Sequence, residues 1–233
     1  MRHIYLLVHP PLLGPAVWRQ VARVLSDEGH VARIPDLRCA VDPPAGWWDR
    51  AADAAAAMAG YEPAVVVGHS GAGVLLPMVA ARLAGVRSVV FVDAVVPART
   101  GATGTSQELR SFLDDLPVQD GLLPPWSRWW SQDTVAKLLP DPAQRELLEA
   151  EQPRLARSFY DLAVPVPEVW PDERVGYLQL SPAYEHDARE AAERGWLVER
   201  LDGHHLQLVT RPVEVAARIE HLAGCDGRSR SPV

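Results

Sequence analysis

The first part of the chain alternates between short apolar runs and helix-patterned stretches, and this alternation narrows the possible folds more than any other feature. Residues 4–8 read Ile-Tyr-Leu-Leu-Val, a continuous apolar run of the kind found in strands buried on both faces. Residues 15–28 place Val17, Val21, Val24 and Leu25 on one helical stripe, and Gly29 ends it. Residues 31–34 form a short strand pattern closed by Pro35, and 46–59 an alanine-rich helix closed by Gly60. Strand patterns at 64–67 and 87–92 flank a helical stretch at 71–84. The order βαβαβαβ predicts a parallel sheet with right-handed crossovers.

The alternation then breaks. Residues 97–172 hold no strand pattern but offer helical pieces near 107–116, 126–139, 141–151 and 154–163, punctuated by prolines. They read as a helical insertion over one end of the sheet. Strand and helix patterns resume at 175–180, 184–194, 197–201 and 212–222, and the polar residues 224–233 read as a flexible tail. The expectation is a single α/β domain over 1–233, with a mostly parallel sheet of about six strands, helices on both faces and a helical cap at 97–172.

Several function classes lose support early. With 233 residues, 48% of them hydrophobic, the chain can bury a core without staples. Cys39 and Cys225 are its only cysteines, too few for a disulfide framework or a cysteine-based zinc site. The net charge is −7 and the basic residues are scattered, so no nucleic-acid partner is expected. Arg87 and Asp93 interrupt the longest apolar stretch, so no membrane span is expected either. The opening apolar run stops after five residues at His9-Pro10-Pro11, too short for a secretory signal, and the protein is expected to be cytoplasmic.

The strongest local signal is Val65-Val66-Val67-Gly68-His69-Ser70-Gly71-Ala72-Gly73, where a buried strand runs into a serine flanked by small residues and a helix follows at once. A serine at such a tight turn adopts a strained backbone, so its neighbours must be small. Its hydroxyl then stands at the carboxyl end of the sheet, where α/β folds bind ligands. The Gly71 N–H opens the helix and points at a developing oxyanion. A dinucleotide loop would need G-x-G-x-x-G and a P-loop G-K-[ST]; neither is present.

Gly68-His69-Ser70-Gly71-Ala72 resembles the G-x-S-x-G motif of the α/β-hydrolase superfamily, with alanine at the fifth position. Val8-His9 with Trp18 is similar to the family's segment after its first core strand. Leu201-Asp202-Gly203-His204-His205-Leu206 is similar to its Gly-His segment before the last helix. The family's usual first two strands are missing, which implies a minimal version of the fold.

The resemblance implies Ser70 as nucleophile and His204, directly after Gly203, as base, with His205 as rival. The acid stays open. Its usual place, between Ser181 and Tyr184, holds no carboxylate, so Asp93 at the end of the 87–92 strand is favoured over Glu185, with Asp187 or no acid behind them. A lone buried Asp93 would be costly without a partner. The oxyanion loop also departs from the family: Pro10 and Pro11 have no N–H, leaving Leu12 as the second donor beside Gly71 if the loop shifts by one residue. Trp126, Trp129, Trp130 and Trp170 are candidates to wall an apolar pocket or to glue the cap to the core. His69 reads as packing, His9 as a support of the oxyanion loop, and His3, His30, His186 and His221 as surface positions.

The reading is a serine hydrolase acting on a small-molecule carboxylic ester, lactone, thioester or amide through an acyl-serine, with no metal or cofactor. Two alternatives stand beside it: a lyase or cyclase using the same serine and histidine for acid–base work, motivated by Pro10-Pro11, and a non-catalytic small-molecule receptor, motivated by the uncertain acid.

Overall fold

The computed structural model describes residues 1–170 and 174–225. Its main sheet is built from β1 (Ile4–Val8), β2 (Val31–Arg33), β3 (Ala64–Ser70), β4 (Val86–Ala94), β7 (Val175–Gln179) and β8 (Leu197–Arg200). They lie in the order β2-β1-β3-β4-β7-β8, and every neighbouring pair is parallel. The chain leaves β1 toward β2 on one side and then returns to β3 on the other. Ligands of open α/β sheets bind at the carboxyl ends of the strands where the order reverses in this way, and that position belongs to β1 and β3.

Alternation along the strands divides the core into two layers. Leu6, Val66, Val89, Phe91 and Tyr177 face α2 (Trp47–Ala59), α3 (Leu76–Ala80) and α7 (Glu185–Glu193). Tyr5, Leu7, Val65, Val67, Val90 and Leu178 face α1 (Arg19–Asp27) and α9 (Pro212–Leu222), with α8 (Gln207–Thr210) beside them. The alanines of α2 let that helix lie close on the sheet: Ala51, Ala52 and Ala55 are fully buried. Trp18 and Trp196 both pack on the sheet. Trp18 donates its indole N–H to the Val8 carbonyl at 3.0 Å, and Trp196 stacks on Phe91 at 4.9 Å.

Between β4 and β7 lie α4 (Gln107–Asp114), α5 (Gln132–Leu138) and α6 (Pro142–Ala150). Ser106, Ser131 and Asp141 start them, each side chain accepting a backbone N–H of the first turn. The cap at Ser131 explains why the stretch 126–139 is not one helix: Trp126–Arg128 is a separate short turn. The segment also contains a strand pair that its sequence hides, β5 (Ala102–Thr103) against β6 (Val164–Pro165), antiparallel and too short to show periodicity. Leu113, Leu123, Trp129 and Phe159 from this region share one buried cluster with sheet residues. Residues 171–172, at the end of the expected cap, and 226–233 of the expected tail lie outside the described residues.

Candidate active site

β3 ends on Ser70 with φ 58° and ψ −131°, a conformation that costs a non-glycine residue about 1–3 kcal/mol. Its surroundings hold it there. A Cβ on Gly73 would stand 2.0 Å from the Val95 carbonyl oxygen, so the turn after Ser70 packs backbone to backbone against the end of β4. A Cβ on Gly68 would stand 2.6 Å from Leu76 Cδ2. These two contacts explain Gly68 and Gly73.

The next strand is distorted at the same level. His69 pairs with Val92 and Ser70 with Ala94, so Asp93 is an extra residue in the register, with φ 44°. Bulges of this kind re-aim a side chain, and here the fully buried Asp93 carboxylate turns toward the end of β7. Its Oδ1 accepts the N–H groups of Leu180 at 2.8 Å and Ser181 at 3.0 Å. Its Oδ2 accepts the Ser181 hydroxyl at 2.6 Å and meets His205 Nδ1 at 2.7 Å. Four donors thus compensate the desolvation of the charge. Ser181 lies in the stretch where the resemblance places an acid, and it serves the carboxylate of the neighbouring strand.

The ring on Asp93 is that of His205, not His204. His204 turns the other way: its Nε2 lies 3.3 Å from Thr210 Oγ1, and its Nδ1 is buried without a partner. Both histidines sit on the loop after β8, and only the direction of that loop decides which one faces the sheet. The carboxylate can only accept, so His205 carries its proton on Nδ1 and leaves the Nε2 lone pair free. The His205 side chain is 20% exposed. His69 supports it from below, the rings 4.3 Å apart and His69 Nε2 3.0 Å from the His205 carbonyl oxygen.

Tyr184 is the residue the sequence gives no sign of. Its ring lies parallel to the His205 imidazole, with centroids 5.0 Å apart and planes within 8°. Its hydroxyl is 3.1 Å from Ser70 Oγ. Burial pushes the phenol well above its usual pKa, so the hydroxyl stays protonated at neutral pH.

The remaining candidates fall into place around this group. Glu185 does not join it; its carboxylate accepts from Gln179 at 3.0 Å and Arg200 at 2.9 Å at the protein surface. Those contacts, Gln179 first, hold its carboxyl below the usual range. Asp187 accepts the Val96 N–H at 2.7 Å and ties α7 to the chain leaving β4.

Pro11 is the residue that lies against Gly71, its Cδ 3.6 Å from where a Gly71 Cβ would stand. The Leu13 N–H closes the turn on the Pro10 carbonyl at 3.1 Å, and the Leu12 amide takes no part in that bond. His9 steadies this loop, accepting the Leu37 N–H and bonding the Pro10 carbonyl oxygen, each at 2.9 Å.

Trp126, Trp129 and Trp130 belong to one cluster of rings: Trp126 lies edge-on to Trp130 with centroids 6.4 Å apart, and Phe112 touches both Trp130 and Trp129. Trp129 is buried, with its indole N–H on the Pro124 carbonyl and its ring against Tyr160. Trp130 stacks on Phe112 and is 42% exposed, while Trp126 packs between the two core layers. Trp170 borders a groove of about 820 Å³ at the amino ends of β3, β4 and β7, the opposite end from Ser70.

One group of possible metal ligands occurs among the described residues: Glu28, His30 and Glu220, far from Ser70 at the amino end of β1. The His3 N–H donates to His30 Nδ1 at 3.2 Å, so Nε2 carries the proton and gives it to Glu220 at 2.8 Å. That arrangement is a hydrogen-bonded chain and presents no free imidazole lone pair to a cation. His3 and His30, expected at the surface, are instead buried and half-buried, with their rings stacked.

Burial lowers the pKa of His3, His9, His30, His69 and His204. Each binds a proton less readily when folded than when unfolded, so acidification through about pH 6.5 favours the unfolded chain. Glu28 and Asp187, whose carboxyls burial pushes up, act in the opposite sense but are fewer. The urea midpoint is expected to be lower at pH 5.5 than at pH 7.5, and equal midpoints would contradict this account.

The sequence profile of the alpha/beta hydrolase family matches residues 5–218. The chain belongs to that family. No curated protein matches this α/β-hydrolase in sequence. Among solved structures, it is similar to tomato methylketone synthase I, at 13% identity and TM-score 0.73, over 96% of this chain and 97% of the other. It is also similar to polyneuridine aldehyde esterase, at 15% identity and TM-score 0.69, over 96% and 100% of the two chains. A pyrethroid hydrolase from Sphingobium faniae follows at 17% identity and TM-score 0.65, over 96% and 98%. At these identities the likeness carries the fold, and the chemistry of this α/β-hydrolase must be argued from its own residues. Among its described residues no helix is long and apolar enough to cross a membrane.

Proposed function

We propose that this α/β-hydrolase cleaves a small-molecule carboxylic ester through an acyl-serine, with Ser70 as nucleophile, His205 as base and Asp93 as its orienting acid. The observation that carries the reading is the 2.7 Å contact between the buried Asp93 carboxylate and His205 Nδ1, one strand away from the strained Ser70 turn. Ser70 Oγ attacks the acyl carbon, its proton passes to His205 Nε2, and the carbonyl π pair moves onto oxygen. That oxyanion collapses and expels the alkoxide, which leaves as alcohol with the proton from His205. Water then attacks the acyl-serine, gives a proton to His205, and the acid departs as Ser70 Oγ takes that proton back. The Gly71 N–H, opening the turn after Ser70, supports the oxyanion. Lactones, thioesters and amides follow the same course. The region between β4 and β7 is read as the substrate-covering cap, and the protein is taken to act in the cytoplasm. An esterase and a hydrolase among the structural neighbours agree with ester cleavage.

A second reading, acid–base catalysis without an acyl-enzyme, draws on the hydrogen bond that Ser70 Oγ makes with Tyr184 rather than with an imidazole. Intact mass after treatment with a fluorophosphonate separates the two. One adduct is expected, absent from Ser70→Ala; an unlabelled wild-type protein would move the acid–base reading ahead.

A further inference from the structure

We infer that the Tyr184 hydroxyl is an oxyanion donor of this site, making up for the amide that Pro11 cannot supply. The inference rests on the acyl-serine reading. Tetrahedral intermediates need fixed donors where charge develops. The residue placed against Gly71 by the β1 loop is a proline, which has no N–H to offer there. Tyr184 Oη stands 3.1 Å from Ser70 Oγ. An oxyanion on the carbon bonded to Oγ forms within reach of the same hydroxyl, which needs only a small shift. The ring is held by its stack on His205, and the short turn Pro182–Tyr184 leads directly into α7, so the donor is positioned before substrate arrives. Because burial keeps the phenol protonated at neutral pH, the hydroxyl is available there as a donor.

The test is Tyr184→Phe, which keeps the ring and removes the donor, with Ser70→Ala alongside. Hydrolysis of p-nitrophenyl acetate is expected to fall about 10²-fold in kcat/KM. Affinity for 1,1,1-trifluoro-2-octanone, which forms a tetrahedral oxyanion on the serine, is expected to fall by the same factor. The leaving p-nitrophenolate needs no proton, so a loss confined to alkyl esters would make Tyr184 a leaving-group acid and overturn the inference. Unchanged or increased turnover overturns it too, as does lost turnover with unchanged trifluoroketone affinity. If Tyr184→Phe does not fold, 3-fluorotyrosine at position 184 changes only the acidity of the donor; it must shift turnover and trifluoroketone affinity together, and no shift overturns the inference. Where Ser70→Ala is inactive and Tyr184→Phe is not impaired, only the tyrosine's role fails. Activity retained in Ser70→Ala brings down the acyl-serine reading itself.

Discussion

His205→Ala is expected to remove nearly all turnover of p-nitrophenyl acetate, by a factor on the order of 10⁴–10⁶ in kcat, while His204→Ala stays within about tenfold of the parent. The contrast follows from the direction of one loop. His205 reaches Asp93 through Nδ1, which fixes its tautomer and leaves Nε2 to take a proton. His204 has only a long contact to Thr210 and an unpartnered Nδ1, so its loss removes little that is paired. Ser70→Ala is expected to match His205→Ala, and combining the two should cost little more than either alone, because residues acting as a unit are non-additive. A His204→Ala enzyme as inactive as His205→Ala would reject the assignment of the base.

Asp93→Asn is expected to lower kcat by about 10⁴, as when an orienting carboxylate becomes an amide. Four donors converge on the two oxygens of Asp93: the N–H groups of Leu180 and Ser181 on one, the Ser181 hydroxyl and His205 Nδ1 on the other. An asparagine has a single oxygen. If it faces the two backbone N–H groups, its NH₂ faces His205, whose Nδ1 must then accept, and the proton moves to Nε2. The imidazole is left in the tautomer that cannot take a proton from Ser70. If the amide turns around, its NH₂ opposes two buried N–H groups, a mismatch worth about 1–3 kcal/mol. Stability is therefore expected to fall along with activity. Glu185→Gln is expected to stay within about twofold, since that carboxylate meets only Gln179 and the exposed Arg200. The reverse ranking would return the acid to the end of β7.

The order of strands and helices was legible in the sequence because a strand buried on both faces must be apolar throughout and its crossover helix must keep one apolar stripe. The Ser70 turn was legible for a related reason. A strained residue whose turn is packed this closely tolerates only small neighbours, and Gly73 against the Val95 backbone and Gly68 against Leu76 record that demand. Asp93 could be weighed as the acid because a carboxylate ending an apolar strand needs a partner and no carboxylate occupies 181–184.

The rest depended on directions in space. His204 and His205 are chemically identical neighbours, and only the path of the loop after β8 turns one ring toward Asp93 and the other toward Thr210. Tyr184 and Ser181 follow a strand that is not adjacent to β3, so no local pattern ties them to Ser70. The tryptophans show the same limit: hydrophobicity says that such rings seek cover but not from what, and here Trp129 is buried against Tyr160 while Trp130 stacks on Phe112 and stays exposed. Periodicity and residue size act along the chain and fix its elements. Hydrogen-bond partners lie across it, and folding alone selects among groups the sequence makes equivalent.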